Sequence, residues 1–546
     1  MTPFDPAAAD VIGSDGRAPR YGDPDGLALL SLVVNQHPLR RTGPVRRGSA
    51  AVVVSLLVVL ALVAGCTQSG SRPEPGPSPT PSSSADRKTS ADNRPNIVFV
   101  LTDDLSWNMM KYLPQVRKLQ RKGTTFTNFF TVNSLCCPSR SAIFTGEYPH
   151  DNGVFRNVGS DGGYSGYVNH GNEQKSFAVA LQQAGYHTGF MGKYLNGYRP
   201  RKNPAAPGWD DWVVAGNGYH EYNYVLNENG TKRRYGSKPS DYLTDVLAGK
   251  AADFIDRAAA GQRPFMLEVA SFAPHMPATP APRDRKAYPK IKGPRTPAYN
   301  RLPSNAPAWL KTVPPLKDKE KKSGDQAFAK RVRSALAVDD MVGRLRRQLK
   351  AEGLAKNTYF VFSSDNGFHI GEHRLRRGKQ TAYDTDIRVP LVVSGPKVPA
   401  GRTMSAMTST IDLCPTFAAI GGAKLKGRPD GVSMLGLWHG KHPANWQQAV
   451  LVEHRTDGTM SPKDPDYQTS KHGDPPTYQA IRTRTAMYAE YDGGQREYYD
   501  LRKDPNELHN LAGKLPARKL APIKKALAAL RSCHGAAQCQ RAAQLR

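Results

Sequence analysis

The chain has 546 residues, with 76 Lys and Arg against 47 Asp and Glu, a formal charge of +29. The basic residues are spread along the chain rather than massed on one aromatic-studded segment, which argues against nucleic acid as the partner. Such a surface suits solubility, attraction to an anionic envelope, or steering of an anionic substrate.

At the N-terminus, Arg40, Arg41, Arg46 and Arg47 precede the run "AVVVSLLVVLALVAGC", which ends at Cys66. A basic region, an apolar stretch and small residues describe a secretory signal, and the apolar run is short for a spanning helix. Its ending "LVAGC" resembles a bacterial lipobox. That resemblance implies cleavage before Cys66, a lipid on its sulfur, and a protein exported and anchored to the outer face of a bacterial cell membrane. An uncleaved anchor or a signal without lipid is the alternative. Residues 1–35 read as neither signal nor domain and are set aside. Residues 1–66 hold six Arg and five Asp, which leaves +28 for the rest. The Pro/Ser/Gly-rich stretch 67–94 cannot bury a core and reads as a disordered tether.

Globular sequence starts near Pro95. "PNIVFVLT" is a continuous apolar run, the pattern of a parallel strand buried on both faces, and it ends in Asp103 and Asp104. "LPQVRKLQRKG" has helical spacing and a Gly stop. "TTFTNFFTV" reads as a strand. It is followed by "SLCCPSRSAIFTGEYPH", with Pro138 suited to the first turn of a helix. "SFAVALQQAGYHTGFMGKY" reads as helix then strand, "LTDVLAGKAADFIDRAAAG" as helix and "PFMLEVASF" as strand. Residues 275–325 are Pro- and Lys-rich and read as an irregular rim to the site. A long helix over "FAKRVRSALAVDDMVGRLRRQLKAEG" leads to the apolar strand "TYFVFSSDNG", which ends in Asp365 and Asn366, and "VPLVVSG" is a further strand. The alternation predicts an α/β fold, a large, mainly parallel sheet flanked by helices, over residues 95–440. Beyond 440, "AVLVEHR", "YQAIRTRTAMYAEY" and "REYYDLRKDP" predict a small antiparallel sheet, and "PIKKALAALRSC" a helix, in a C-terminal subdomain 441–546. Cys414, in "IDLCPTFAAI", reads as a buried free thiol. Export favours a disulfide loop between Cys533 and Cys539.

In a parallel sheet, ligands bind beyond the carboxyl ends of the strands. Asp103, Asp104, Asp365 and Asn366 end two such strands, and their acids would repel unless a cation joined them. An all-oxygen set favours Ca²⁺ or Mg²⁺. Lys193, His275, His369, His373 and Lys379 also follow strands or the Asp-Asn-Gly turn. Each alone has an ordinary reading as a solvated or structural group; together they suggest a site.

The pentapeptide Cys136-Cys137-Pro138-Ser139-Arg140 resembles the sulfatase signature, and "PNIVFVLTDD", "GKYLNGY", "APHMP", "SSDNGFH" and "YDLRKDPNELHNL" resemble the other blocks of that family in order. The subgroup most similar is the N-acetylglucosamine-6-sulfatases, with arylsulfatase as the generic form. The resemblance implies the alkaline-phosphatase-like sulfatase fold and oxidation of Cys136 to formylglycine by a formylglycine-generating enzyme; Cys137 only packs. One hydroxyl of the hydrated aldehyde would attack sulfur and the other would later expel sulfate. It also implies a metal, Ca²⁺ with Mg²⁺ as the alternative, held by Asp103, Asp104, Asp365 and Asn366 together with the modified side chain of Cys136. Arg140 and Lys193 would stabilise the nucleophile, while His275 and Lys379 would bind sulfate and help protonate the leaving oxygen. Many family members carry a histidine two residues after the matched lysine. Here that place is Leu195, so His369, or alternatively His373, is the candidate for the last proton transfer. The expected substrate is a sulfated glycan such as an N-acetylglucosamine 6-sulfate unit, with aryl sulfates also accepted. The alternatives are a phosphate or phosphonate ester hydrolase of the same superfamily and a non-catalytic, lipid-anchored binder of acidic glycans.

Overall fold

The computed structural model describes residues 92–456, 466–469, 471 and 473–545. The apolar N-terminal run, Cys66 and the expected tether up to residue 91 lie outside them. Among the described residues no helix is long and apolar enough to cross a membrane.

A ten-stranded sheet organises the chain. Its strands are β1 (Asn96–Thr102), β2 (Thr124–Phe126), β3 (His187–Lys193), β4 (Asp211–Ala215), β5 (Val225–Glu228), β6 (Thr231–Arg234), β7 (Phe265–Ala270), β8 (Thr358–Ser364), β9 (Leu391–Ser394) and β10 (Arg402–Met404). The spatial order is β10-β2-β9-β8-β1-β7-β3-β4-β5-β6. The central run β8-β1-β7-β3-β4 is parallel. Both flanks differ from the simple alternation: β9 pairs antiparallel with both β8 and β2, and β4-β5-β6 form an antiparallel meander.

β1 is the middle of this arrangement, and every one of its residues is buried. Successive side chains of a strand point to opposite faces. Val98 and Val100 therefore join one core, while Ile97, Phe99 and Leu101 join the other. Burying each such side chain contributes about 1.5–3 kcal/mol. The first core is covered by α1 (Pro114–Lys122), α4 (Leu243–Ala260) and α5 (Asp318–Ala351). The second is covered by α2 (Cys136–Thr145) and α6 (Leu413–Gly421), with the short α3 (Pro149–Asn152) following α2 directly.

Downstream, β11 (Ala449–His454), β12 (Tyr478–Thr483), β13 (Ala486–Tyr491) and β14 (Arg496–Asp500) form an antiparallel sheet in sequence order. The predicted strand "YQAIRTRTAMYAEY" is in fact the hairpin β12-β13. α7 (Ala517–Leu530) packs on this sheet, and α8 (Ala536–Ala542) carries the far end of the Cys533–Cys539 disulfide. Their shared core also takes in Phe130, Leu310 and Tyr383 from upstream segments.

Candidate active site

β1 and β8 run side by side with Thr102 opposite Ser364, so the residues after both strands emerge at the same point. Asp104 sits there in a left-handed conformation, φ 66°. Its amide donates to Asp365 Oδ1 at 3.1 Å, and the amide of Asn366 donates to the same oxygen at 2.8 Å. Asn366 Nδ2 donates to Asp104 Oδ1 at 2.6 Å. The neighbouring strands add His275, after β7, and Lys193, at the end of β3. One donor atom each from Asp103, Asp104, Cys136 and His275 lies within 4.8 Å of the others.

α2 aims its first residue into this cluster. Pro138 fits the first turn, and the helix closes at Gly146, whose φ of 74° suits a residue without Cβ. All ten helix residues are buried. Cys136 Sγ lies 2.8 Å from Lys379 Nζ and 3.3 Å from Asp103 Oδ1. Arg140, one turn on, donates Nε to Asp365 Oδ2 at 2.8 Å and Nη1 to the Lys193 carbonyl at 2.6 Å. Cys137 points away into the core, and its amide donates to Asn157.

The electrostatics follow from crowding four buried acids with four cationic groups. Lys193 Nζ meets Asp103 at 2.6 Å and Lys379 Nζ meets Asp104 at 2.6 Å. Burial opposes charge on Asp103, but Lys193, His275, Arg140 and Lys379 outweigh it and hold this carboxyl well below its ordinary range. Asp365 is pushed up to about 6 by burial and the Asp103 charge, against the pull of Arg140. Burial, then Asp103, pushes the Cys136 thiol well up, so the unmodified side chain is a poor thiolate source. Burial disfavours the imidazolium of His275, yet Asp104, Asp466 and Asp103 raise its pKa above the ordinary value.

The donor set fits a hard divalent cation. Asp104 Oδ2 and Asn366 Oδ1 are buried with no hydrogen-bond partner among the described residues. Oxygen atoms desolvated in this way carry a free-energy cost unless a cation or donor meets them.

Two expected residues stand apart. His369 Nδ1 binds Asp386 at 3.0 Å, and no hydrogen bond links this ring to Cys136. His373 Nε2 faces the carbonyls of Asn506 and Glu507, both at 3.1 Å, and its ring stacks on Tyr383. Burial drives the His373 pKa down to about 4, so this ring is neutral and ties down the C-terminal region.

Two residues that carried no sequence signal enter the site, and a third, Glu268, feels it only through the charge of Arg140. Asp466, beyond residue 440, bonds His275 Nε2 at 3.0 Å and Lys379 Nζ at 2.9 Å, and takes a hydrogen bond from Asn157 Nδ2 at 2.9 Å. Arg331, on the long helix α5, donates to the Asp104 carbonyl and lies 4.0 Å over the Phe368 ring. Glu268, on β7, is wholly buried on the α2 side of the sheet, and neither of its oxygens has a partner among the described residues. Beside Lys379 and Asp466 a cavity of about 380 Å³ opens, lined also by Tyr299, Leu316, Arg376 and Arg377. Tyr299 and Leu316 belong to the expected rim.

Residues 95–423 match the family model described as Sulfatase, and residues 371–532 match one described as N-sulphoglucosamine sulphohydrolase, C-terminal. The chain belongs to the sulfatase family. It is thus a sulfuric ester hydrolase with the alkaline-phosphatase-like architecture. This sulfatase is 34% identical to the N-acetylglucosamine-6-sulfatase of Homo sapiens over 81% of this chain and 85% of that one. It is 31% identical to the extracellular sulfatase SULF-1 homolog of Drosophila melanogaster over 75% of this chain and 37% of that one. Among solved structures, one of a protein in complex with its substrate D-glucosamine-2-N,6-O-disulfate aligns with TM-score 0.65 and 25% identity, covering 80% of this chain and 96% of that one.

Proposed function

We propose that this sulfatase hydrolyses sulfate esters of sugars, N-acetylglucosamine 6-sulfate units foremost, through Cys136 converted to formylglycine, and that aryl sulfates are also accepted. The observation that carries the reading is the placement of Cys136. It begins a buried helix, 2.8 Å from a lysine and beside Asp103, Asp104 and His275, whose donor atoms lie within 4.8 Å of its sulfur, while Asp104 and Asn366 each keep an unpartnered buried oxygen. The names of the relatives and the neighbour's sugar disulfate support the choice of substrate.

The hydrate of the formylglycine aldehyde would supply the attacking oxygen. A divalent ion, Ca²⁺ by preference for an all-oxygen set, would be held by Asp103, Asp104, Asp365 and Asn366 and would offset charge on the sulfuryl group. The remaining work falls to the chain's own groups. Arg140 and Lys193 fix and polarise the nucleophile from the side of Asp365 and Asp103. Lys379 and His275 face the space in front of Cys136 and would hold the sulfate oxygens. His275 Nδ1 lies 2.7 Å from the Met276 carbonyl and donates to it. In the imidazolium, which the charges of Asp104, Asp466 and Asp103 favour, Nε2 also carries a proton, and this is the one that passes to the leaving sugar oxygen. Asp466 now accepts from that Nε2 and must release it when an ester enters.

Attachment through a lipid on Cys66 places the enzyme at the outer face of the membrane, where an extended glycan can reach it. The decisive experiment has two parts. Mass analysis of the peptide bearing Cys136, from protein made in its own host, should find the aldehyde there and not at Cys137. Turnover should be good on a 6-sulfated hexosamine and on an aryl sulfate, and poor on the matching aryl phosphate. A preference for phosphate would favour the phosphate or phosphonate reading, and no turnover with an unmodified thiol would favour the binder.

A further inference from the structure

A second constellation of ligating side chains lies away from Cys136, where the C-terminal tail meets the segment after the signature helix. α3 presents His150 and Asp151 in succession. The loop of the Cys533–Cys539 disulfide presents His534. One donor atom from each of the three lies within 4.8 Å of the other two. His534 Nδ1 faces Asp151 Oδ1 directly. His150 Nε2 points at the Cys533 carbonyl oxygen, 3.0 Å away, so an ion would enter by exchanging this hydrogen bond.

Two further features point to a cation there. Glu453 Oε2 lies 2.8 Å from His150 Nδ1. That is the outer carboxylate that commonly orients a metal-binding imidazole and leaves its other nitrogen for the ion. Asp430 stands within hydrogen-bonding reach of the Asp151 carboxyl, while its own oxygens take the amides of Tyr148 at 2.8 Å and Gly535 at 2.7 Å. Two carboxyl groups side by side cannot both ionise cheaply: without a cation, burial and Asp151 push Asp430 up to about 8 so that it keeps its proton, and a cation beside them would let both carry charge. The site has an entry path: the His534 side chain is 61% exposed, against 14% for Asp151.

We propose that His150, Asp151 and His534 bind a divalent ion of the zinc class, oriented by Glu453 and screened by Asp430, which clasps the disulfide-closed tail to α3. Two imidazoles and a carboxylate suit zinc and disfavour Ca²⁺ and Mg²⁺, which take oxygen donors. Bonds of about 2.0–2.1 Å to a tetrahedral ion separate ligand atoms by roughly 3.3 Å, so His534 and Asp151, now in direct contact, would part slightly as the ion enters between them and His150. The fourth position is open to water or to Asp430. The ion would make no contact with Cys136 or the substrate, so its role is to hold the tail in place.

The test uses the full chain, stripped of metal and then given saturating Ca²⁺ to fill any oxygen-donor site. Zinc chloride is titrated in by calorimetry, with elemental analysis after dialysis and a melting curve. The expected result is one zinc per chain in excess of that retained by the His534→Ala and Asp151→Asn variants, and a Tm several degrees higher with zinc for the wild type only. Glu453→Gln should weaken zinc binding about tenfold or more. Because His534 is largely exposed, its variant should fold with the same Tm as the zinc-free wild type. Equal zinc content in wild type and both variants, or no zinc-dependent rise in Tm, would overturn the proposal.

Discussion

Glu268 offers a quantitative test of how the sheet carries its buried acid. Its carboxyl lies on β7 between Phe99 and Phe190 of the neighbouring strands. Burial pushes its pKa from 4.5 to about 8, with only Arg140 acting against the shift. The folded chain thus keeps a proton that the unfolded chain releases near pH 4.5. The resulting contribution to stability is fully present below about 4.5 and is lost as pH rises to about 8. The whole swing corresponds to about 5 kcal/mol, and between pH 5 and 7.5 the wild type should lose roughly 3 kcal/mol through this one group. Glu268→Gln keeps the shape and cannot ionise. Its unpartnered amide costs the same at both pH values and cancels in the comparison. Urea unfolding of both proteins at pH 5 and 7.5, with metal held constant, should show the variant gaining about 3 kcal/mol on the wild type between the two. Parallel curves at both pH values would mean that Glu268 ionises normally, and the account of an unpartnered buried carboxyl would be wrong.

Four other outcomes are expected. Cys136→Ala should abolish turnover, whereas Cys137→Ala should cost about 1–2 kcal/mol of packing and keep activity; an active Cys136→Ala enzyme would remove the assigned nucleophile. Asp365→Ala should lose bound divalent metal and activity together, measured by elemental analysis and aryl sulfate turnover; unchanged metal content would leave Asp365 a purely structural partner of Arg140. His275→Ala should reduce sugar sulfate turnover at least about tenfold more than aryl sulfate turnover, because a sugar alkoxide leaves poorly without a proton; equal losses would show that His275 is not the acid. Cys66→Ala should lose a lipid adduct detectable by mass and by detergent-phase partitioning, and a wild type that stays in the aqueous phase would rule out the anchor.

The strand-end half of the site was legible because buried parallel strands are near-continuous apolar runs, so the polar residues that stop them stand out. Asp103 and Asp104 after β1, Asp365 and Asn366 after β8, and His275 after β7 all follow this pattern. The same logic also singled out His369 and His373. They follow the same turn, but the chain swings them toward Asp386 and toward the Asn506 and Glu507 carbonyls. Distance along the sequence from a strand end does not fix direction, and left-handed turns such as Gly371, at φ 100° between the two histidines, redirect the chain further. Asp466 was illegible for a different reason: "KDPDYQ" has turn composition and no periodicity, and only tertiary packing brings it to His275. Arg331 hid among the many basic residues of α5, most of which face solvent, while it is itself fully buried. The meander β4-β5-β6 went unread although Asn229-Gly230 supplies a hairpin turn between β5 and β6.

If Cys136 is modified as proposed, the depth at which it is set implies an order of events in the making of the enzyme. The residue has no exposed surface, and neither has most of the helix that carries it. A modifying enzyme must draw several residues of extended backbone into its own cleft, and α2 could supply them only by leaving the core between the sheet and α6. Under the proposed mechanism, oxidation of Cys136 would therefore belong to the nascent or translocating chain. A molecule that closed its fold first would be trapped with a thiol, correctly built and inert. The yield of working enzyme then depends on a race between folding and modification, and a host that folds the chain too quickly would lower activity without lowering the amount of protein.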